Sequence, residues 1–195
     1  MATSATPMGA EPVGTLSASG SFTGKVRHIK IANAYGTAIF YGDFVKLVSS
    51  GTVEKASFTT SVAAGIVGVF VGCAYTDPST NQMTFNQQFP ASTAADDIVA
   101  YVVDDPKLLF QMQADEAVAQ TGLGNNISAV MTAGSTAIGR SKNALDGGSI
   151  ATTNTLPLRV VDFVDGPNST VGDAFTDCIV TYLPLSHAYE TALGV

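Results

Sequence analysis

The sequence predicts an all-β protein: a compact antiparallel β-barrel or β-sandwich body with an extended N-terminal arm and at most one or two short helices. Three observations predict it. The apolar runs are short and bounded by Gly, Ser, Asn and Asp, the residues that build turns. Several runs alternate apolar and polar residues with the period of two that a half-buried strand needs. The most apolar run, residues 64–72, contains Gly65, Gly68 and Gly72, each of which would cost about 1 kcal/mol inside a helix.

Residues 1–24 are mostly Ala, Thr, Ser and Gly, with Pro7 and Pro12, and only Val13, Leu16 and Phe22 can anchor to anything. They read as an arm that orders on a neighbour, or as a terminus with no role. The body is expected over residues 25–195. In residues 26–31, Arg27, Ile29 and Ile31 share a face opposite His28 and Lys30. Residues 44–48 read as a strand, followed by a Ser49-Ser50-Gly51 turn and Thr52-Val53-Glu54-Lys55-Ala56. In residues 62–74, Val67, Val69 and Val71 are expected on one face, with Ile66 and Phe70 on the other. A strand apolar on both faces is central in its sheet.

Asp77-Pro78 opens a turn, and Gln82-Met83-Thr84-Phe85 reads as a short strand. Residues 98–103 are again apolar on both faces. In residues 107–113, Leu108, Phe110 and Met112 oppose Leu109, Gln111 and Gln113, and a hairpin through Asp104-Asp105-Pro106 is expected to join this strand to the one before it. Residues 115–120 allow one helical turn, ended by Gly122 and Gly124. Residues 121–153 are small and polar, with weak strand candidates at Val130-Met131 and Ala137-Ile138, and a subdivision of the body near 114–155 stays open. Residues 155–164 and 178–183 read as the last strands.

Hydrophobic residues make up 46% of the chain and charged residues 13%, against about 25% charged in an average domain. An uncharged surface costs little to desolvate and suits lasting contact with protein. The net charge of −7 argues against nucleic acid and against an anionic membrane as partner, since both require Lys and Arg. No apolar run approaches the roughly 18 residues of a membrane span. The N-terminus lacks a basic and apolar leader, so synthesis in the cytoplasm without export is expected.

Cys73 and Cys178 read as buried free thiols that could also pair. No Cys–His cluster suggests zinc. Asp96-Asp97 and Asp104-Asp105 read as turn residues, not as a calcium loop. His28 and His187 are the two histidines, and no serine sits in a nucleophile elbow. The reading is therefore of a non-enzyme with no catalytic, cofactor-binding or metal-binding residue and no cofactor.

A family resemblance rests on the order Gly42-Asp43-Phe44-Val45, Ser50-Gly51-Thr52-Val53, Ala64-Gly65-Ile66-Val67-Gly68-Val69. It continues in Ile98-Val99-Ala100-Tyr101-Val102-Val103-Asp104-Asp105-Pro106, Leu109-Phe110-Gln111-Met112-Gln113 and Leu156-Pro157-Leu158-Arg159-Val160-Val161. Over roughly residues 26–185 this resembles the β-rich core of capsid cement, or head decoration, proteins of tailed bacteriophages. The resemblance implies a viral structural protein on the outer surface of the capsid in the virion. It implies major capsid protein as partner, bridged by many copies, and self-association with a homotrimer favoured. Val13, Leu16 and Phe22 are then the capsid-contact candidates. Another virion component (a head fibre or tail protein) and a glycan- or receptor-binding β module are the alternatives. Residues 41–105 are expected to be scaffold, with the binding surface in the arm and in the loops after Gly122.

Overall fold

The computed structural model describes residues 4–17, 20–58, 65–191 and 194. Among them are twelve strands: β1 (Glu11–Thr15), β2 (Arg27–Lys30), β3 (Phe44–Leu47), β4 (Val53–Lys55), β5 (Ile66–Thr76), β6 (Met83–Asn86), β7 (Val99–Val103), β8 (Leu108–Gln113), β9 (Asn126–Val130), β10 (Ala144–Ala151), β11 (Leu158–Phe163) and β12 (Asp177–Tyr182). A single 3₁₀ turn, Gln120–Gly122, lies between β8 and β9.

The strands form two antiparallel sheets packed as a sandwich, not a closed barrel. Sheet I runs β1-β8-β12-β11-β9-β10. Sheet II runs β2-β7-β5-β3-β4, and β6 pairs with the far half of β5. Between the sheets lies one core. Phe44, Ile66, Val69 and Val103 of sheet II meet Leu108, Phe110, Met112, Ile127, Leu158 and Val180 of sheet I. Phe44 stands edge-on to Phe110 at 5.3 Å and to Phe58 at 4.7 Å, and such pairs add about 0.5–1.5 kcal/mol to their burial.

A second core covers the opposite face of sheet II. Val45, Val67, Phe70, Ala100 and Val102 pack there against Ile31, Ile39, Phe89 and Ile98 from the loops. Sheet II is thus buried on both faces, which is why β5 and β7 are apolar throughout. Sheet I is buried on one face, which is why β8 alternates.

Two sequence expectations change in the fold: the faces of β5 and the hairpin at 104–106. The faces of β5 do not follow a simple period of two: Ile66 and Val69 face the inter-sheet core, while Val67 and Phe70 face the outer one. Register shifts against β3 and β7 produce this, since each inserts an extra residue and flips the parity that follows. Glycine permits both. A Cβ on Gly68 would lie 2.1 Å from the carbonyl oxygen of Val103, and Gly72 holds φ at +147°.

The chain from 104 to 107 is a crossover from sheet II to sheet I, not a hairpin, because β7 pairs with β2 and β5 while β8 pairs with β1 and β12. Residues 126–151 supply β9 and β10 of sheet I, so the 114–155 region completes the sandwich. The extended N-terminal arm lies along the body, where it contributes β1, an edge strand on β8. Its backbone finds partners in its own chain: Ala10 donates to Gly42 at 2.9 Å and Leu16 to Lys107 at 2.8 Å.

A buried carboxylate ties the loops between the sheets. Asp43, fully buried, accepts from Ser141 Oγ at 2.7 Å, Asn143 Nδ2 at 3.0 Å and the Phe40 amide at 2.9 Å. Lys55 Nζ neutralises it at 2.9 Å. A charge so far from water is retained only with this full set of partners.

Candidate interaction surface

The outward face of sheet I is set by alternation. Leu108, Phe110 and Met112 turn into the core, so Leu109, Gln111 and Gln113 turn out. Cross-strand register places Thr181 beside Leu109 and Ile179 beside Gln111. The middle of this face therefore carries the part-exposed Leu109, Gln111 and Ile179 and no charge, while Thr181 beside them is buried and gives its hydroxyl to the Leu108 carbonyl at 2.9 Å. Arg159, Asp162, Asp177 and Glu11 stand around it. Glu11 is paired with Arg140 at 3.0 Å.

Of the three residues predicted as contacts, Val13 and Leu16 sit along one margin of this face. Val13, 44% exposed, lies at the β1 bulge between Pro12 and Gly14, and Leu16, 50% exposed, follows the end of β1. Phe22 is different: it packs against the inter-sheet core, so part of its apolar surface is already used within the chain. Two grooves flank the ridge made by residues 15–16 and Pro106. One, of about 320 Å³, is lined by Leu16, Lys107, Arg159, Val161 and Pro184. The other, of about 340 Å³, is lined by Phe22, Lys25, Arg27, Asp105 and Tyr189. Arg27 pairs with Asp104 in the second groove and lies 5.4 Å from the centre of the Tyr189 ring.

The groups with chemical potential are mostly used in packing. His28 packs against Tyr101 with ring centres 4.8 Å apart and the rings tilted by 60°. His187 is fully buried between Tyr182 and Tyr189. Its Nδ1 accepts the Tyr189 amide at 3.3 Å, and burial holds its pKa below the usual histidine value. The neighbouring Ser186 hydroxyl contacts carbonyl oxygens of Pro157 and Leu183 at 2.8 and 2.7 Å. Ser186 therefore makes no pair with His187 among the described residues.

Cys73 lies in the outer core and Cys178 in the inter-sheet core, so the two thiols are free and belong to different cores. Burial pushes both up to about 12, which removes the nucleophilic thiolate at neutral pH.

The fold also gathers Asp115, Glu116 and Asp146, whose carboxylate oxygens lie within 4.8 Å of one another. Sequence reasoning missed this trio because β10 brings Asp146 back beside the end of β8. Asp115 already accepts the Gly147 amide at 3.0 Å. No local spacing signals the cluster; only the pairing of remote strands could have found it.

No family model, no curated protein and no solved structure matches this chain.

Proposed function

We propose that this chain is a capsid cement protein. It bridges major capsid subunits on the outer surface of a tailed-phage head, with self-association for which the resemblance favours a trimer. The observation that carries the reading is the outward face of sheet I. An uncharged centre of part-exposed residues, Leu109, Gln111 and Ile179, lies inside a charged rim, the anatomy of a protein–protein interface. Val13 and Leu16 extend it along β1 with apolar side chains that the chain itself leaves half-exposed. The low charge of the whole sequence fits a subunit that spends its working life against other protein. Each contact of this size is modest, and many copies on one shell convert modest contacts into a lasting clamp.

The test uses purified protein and expanded, undecorated heads of the phage that encodes it. Stoichiometric addition and a higher rupture temperature are the expected results. Leu16→Asp and Ile179→Glu, both outside the core, should weaken addition by roughly tenfold or more, since each places an unpaired charge in the interface. Wild-type protein that fails to add to such heads would sink the reading.

A further inference from the structure

The strand β6 is an edge with no guard. It pairs with β5 on one side and with no described strand on the other. Natural edge strands are usually blunted by charge, because a bare edge is a template for another strand. The other described edges obey this: β1 carries Glu11, β2 carries Arg27 and Lys30, β4 carries Glu54 and Lys55, and β10 carries Asp146. By contrast, no charged residue occurs between Asp77 and Asp96, so β6 and both of its flanks are neutral.

The unpaired backbone groups of β6 are identifiable. The Asp77 amide donates to the Gln82 carbonyl at 2.9 Å, and the register then pairs Tyr75 with Thr84 and Cys73 with Asn86. Hydrogen-bonded pairs alternate in an antiparallel ladder. The amides and carbonyls of Thr84 and Asn86 therefore turn towards β5, and those of Met83 and Phe85 turn outward. The side chains of the same two residues are the apolar ones: Phe85 is 72% exposed and Met83 60% exposed. Cross-strand pairing with Ala74 and Thr76 places them on the face of sheet II that carries Val99 and Tyr101, beyond the cover of sheet I.

We propose that β6 is a self-association edge and that its occupant is β6 of a second copy, antiparallel about a two-fold axis. The occupant follows from charge and symmetry. A two-fold contact sets each residue against its own kind of surface. At β2 that would bring Arg27 and Lys30 of one copy close to those of the other, whereas β6 brings only neutral residues together. With Thr84 on the axis, Met83 of each copy meets Phe85 of the other. The pair exchanges two amide-to-carbonyl hydrogen bonds on each side of the axis, and each ring packs on a methionine, a favourable sulfur–aromatic contact. Sheet II then continues across both copies. This contact rests on the strand edge and not on the capsid reading, and it is two-fold, so it is distinct from any three-fold contact of a trimer.

The experiment is sedimentation equilibrium of the full chain and of Phe85→Lys. Lysine is the residue that natural edges use, and position 85 is outside both cores. A wild-type dimer whose dissociation constant rises roughly tenfold or more in Phe85→Lys is expected, because cross-strand pairs are worth up to about 1 kcal/mol each and the contact has two. A Thr84→Cys variant should form a covalent dimer on mild oxidation, since the axis brings the two positions together while both native thiols are buried. A wild-type monomer at high concentration overturns the proposal. So does an oligomer that Phe85→Lys leaves unchanged, or a Thr84→Cys chain that stays monomeric on oxidation.

Discussion

The two halves of β5 share β7 as a neighbour and both bury side chains in the outer core; they differ in the strand on their other side and in what covers their second face. The near half, from Ile66 to Val69, is flanked by β3 and lies beneath sheet I, with residues 186–188 clamped to its start: Ile66 donates to Ser186 and Ala188 to Ile66. The far half, from Cys73 to Thr76, is flanked by β6, whose Phe85 faces solvent. The partner of this one strand thus changes from a covered strand to an exposed edge within 11 residues, while β5 itself stays almost entirely buried through Tyr75. Glycine bulges at the transition allow it, because they reset which side chains face inward. Burial decides what the strand beside each half contributes to stability, and exposure leaves only β6 of the two free to bind.

The largest effect should come from the near half. Gly68→Val puts a Cβ on the Val103 carbonyl, which is sheet backbone and has no room to move. A loss of about 3 kcal/mol or more is expected, read as a fall of about 10 °C in thermal midpoint for a domain of this size. A midpoint within 2–3 °C of wild type (roughly 1 kcal/mol or less) would show that this half of the sheet is more compliant than its packing implies.

A smaller, pH-dependent effect should come from the clamp. His187 has its pKa depressed by burial. The unfolded chain therefore binds its proton more readily than the folded one. The stabilisation is fully present above the unfolded value of about 6.5 and is lost as pH falls through the lower folded value. Unfolding free energy from urea titrations should fall below pH 6.5, by at most about 1.4 kcal/mol per pH unit for this single group. His187→Gln should flatten that slope. An equal slope in the variant assigns the acid sensitivity to other groups.

The smallest effect belongs to the far half. Phe85→Lys should change the stability of the monomer by no more than about 0.5 kcal/mol, because the ring is largely in water already. A larger loss in thermal denaturation at low protein concentration would mean that Phe85 supports the fold of the single chain. β6 would then be part of the stabilising core and not a free edge.

Much of this contrast was legible in the chain, although its location was not. The doubly apolar runs read correctly as central strands, and the alternation of residues 107–113 correctly assigned Leu109, Gln111 and Gln113 to an outward face. Residues 41–105 read as scaffold alone, yet they contain β6, the most exposed apolar strand. Met83-Thr84-Phe85 looks like any half-buried strand in sequence; whether a sheet covers it depends on where sheet I ends. Of the three contact candidates, Val13 and Leu16 are half-exposed, whereas Phe22 packs on the inter-sheet core, a difference that their composition class does not signal.

The sequence by itself determined the class of fold, the central strands and the shortage of charge, because these follow from local periodicity, turn chemistry and composition. Only the tertiary structure decided that the fold is a sandwich, that β1 belongs to sheet I, and that β7 and β8 lie in different sheets. It alone gathered Asp115, Glu116 and Asp146. The reason is physical: strand partners are chosen by contacts between residues far apart in the chain, and a bulge of one residue, invisible in the apolar pattern, reverses every face beyond it.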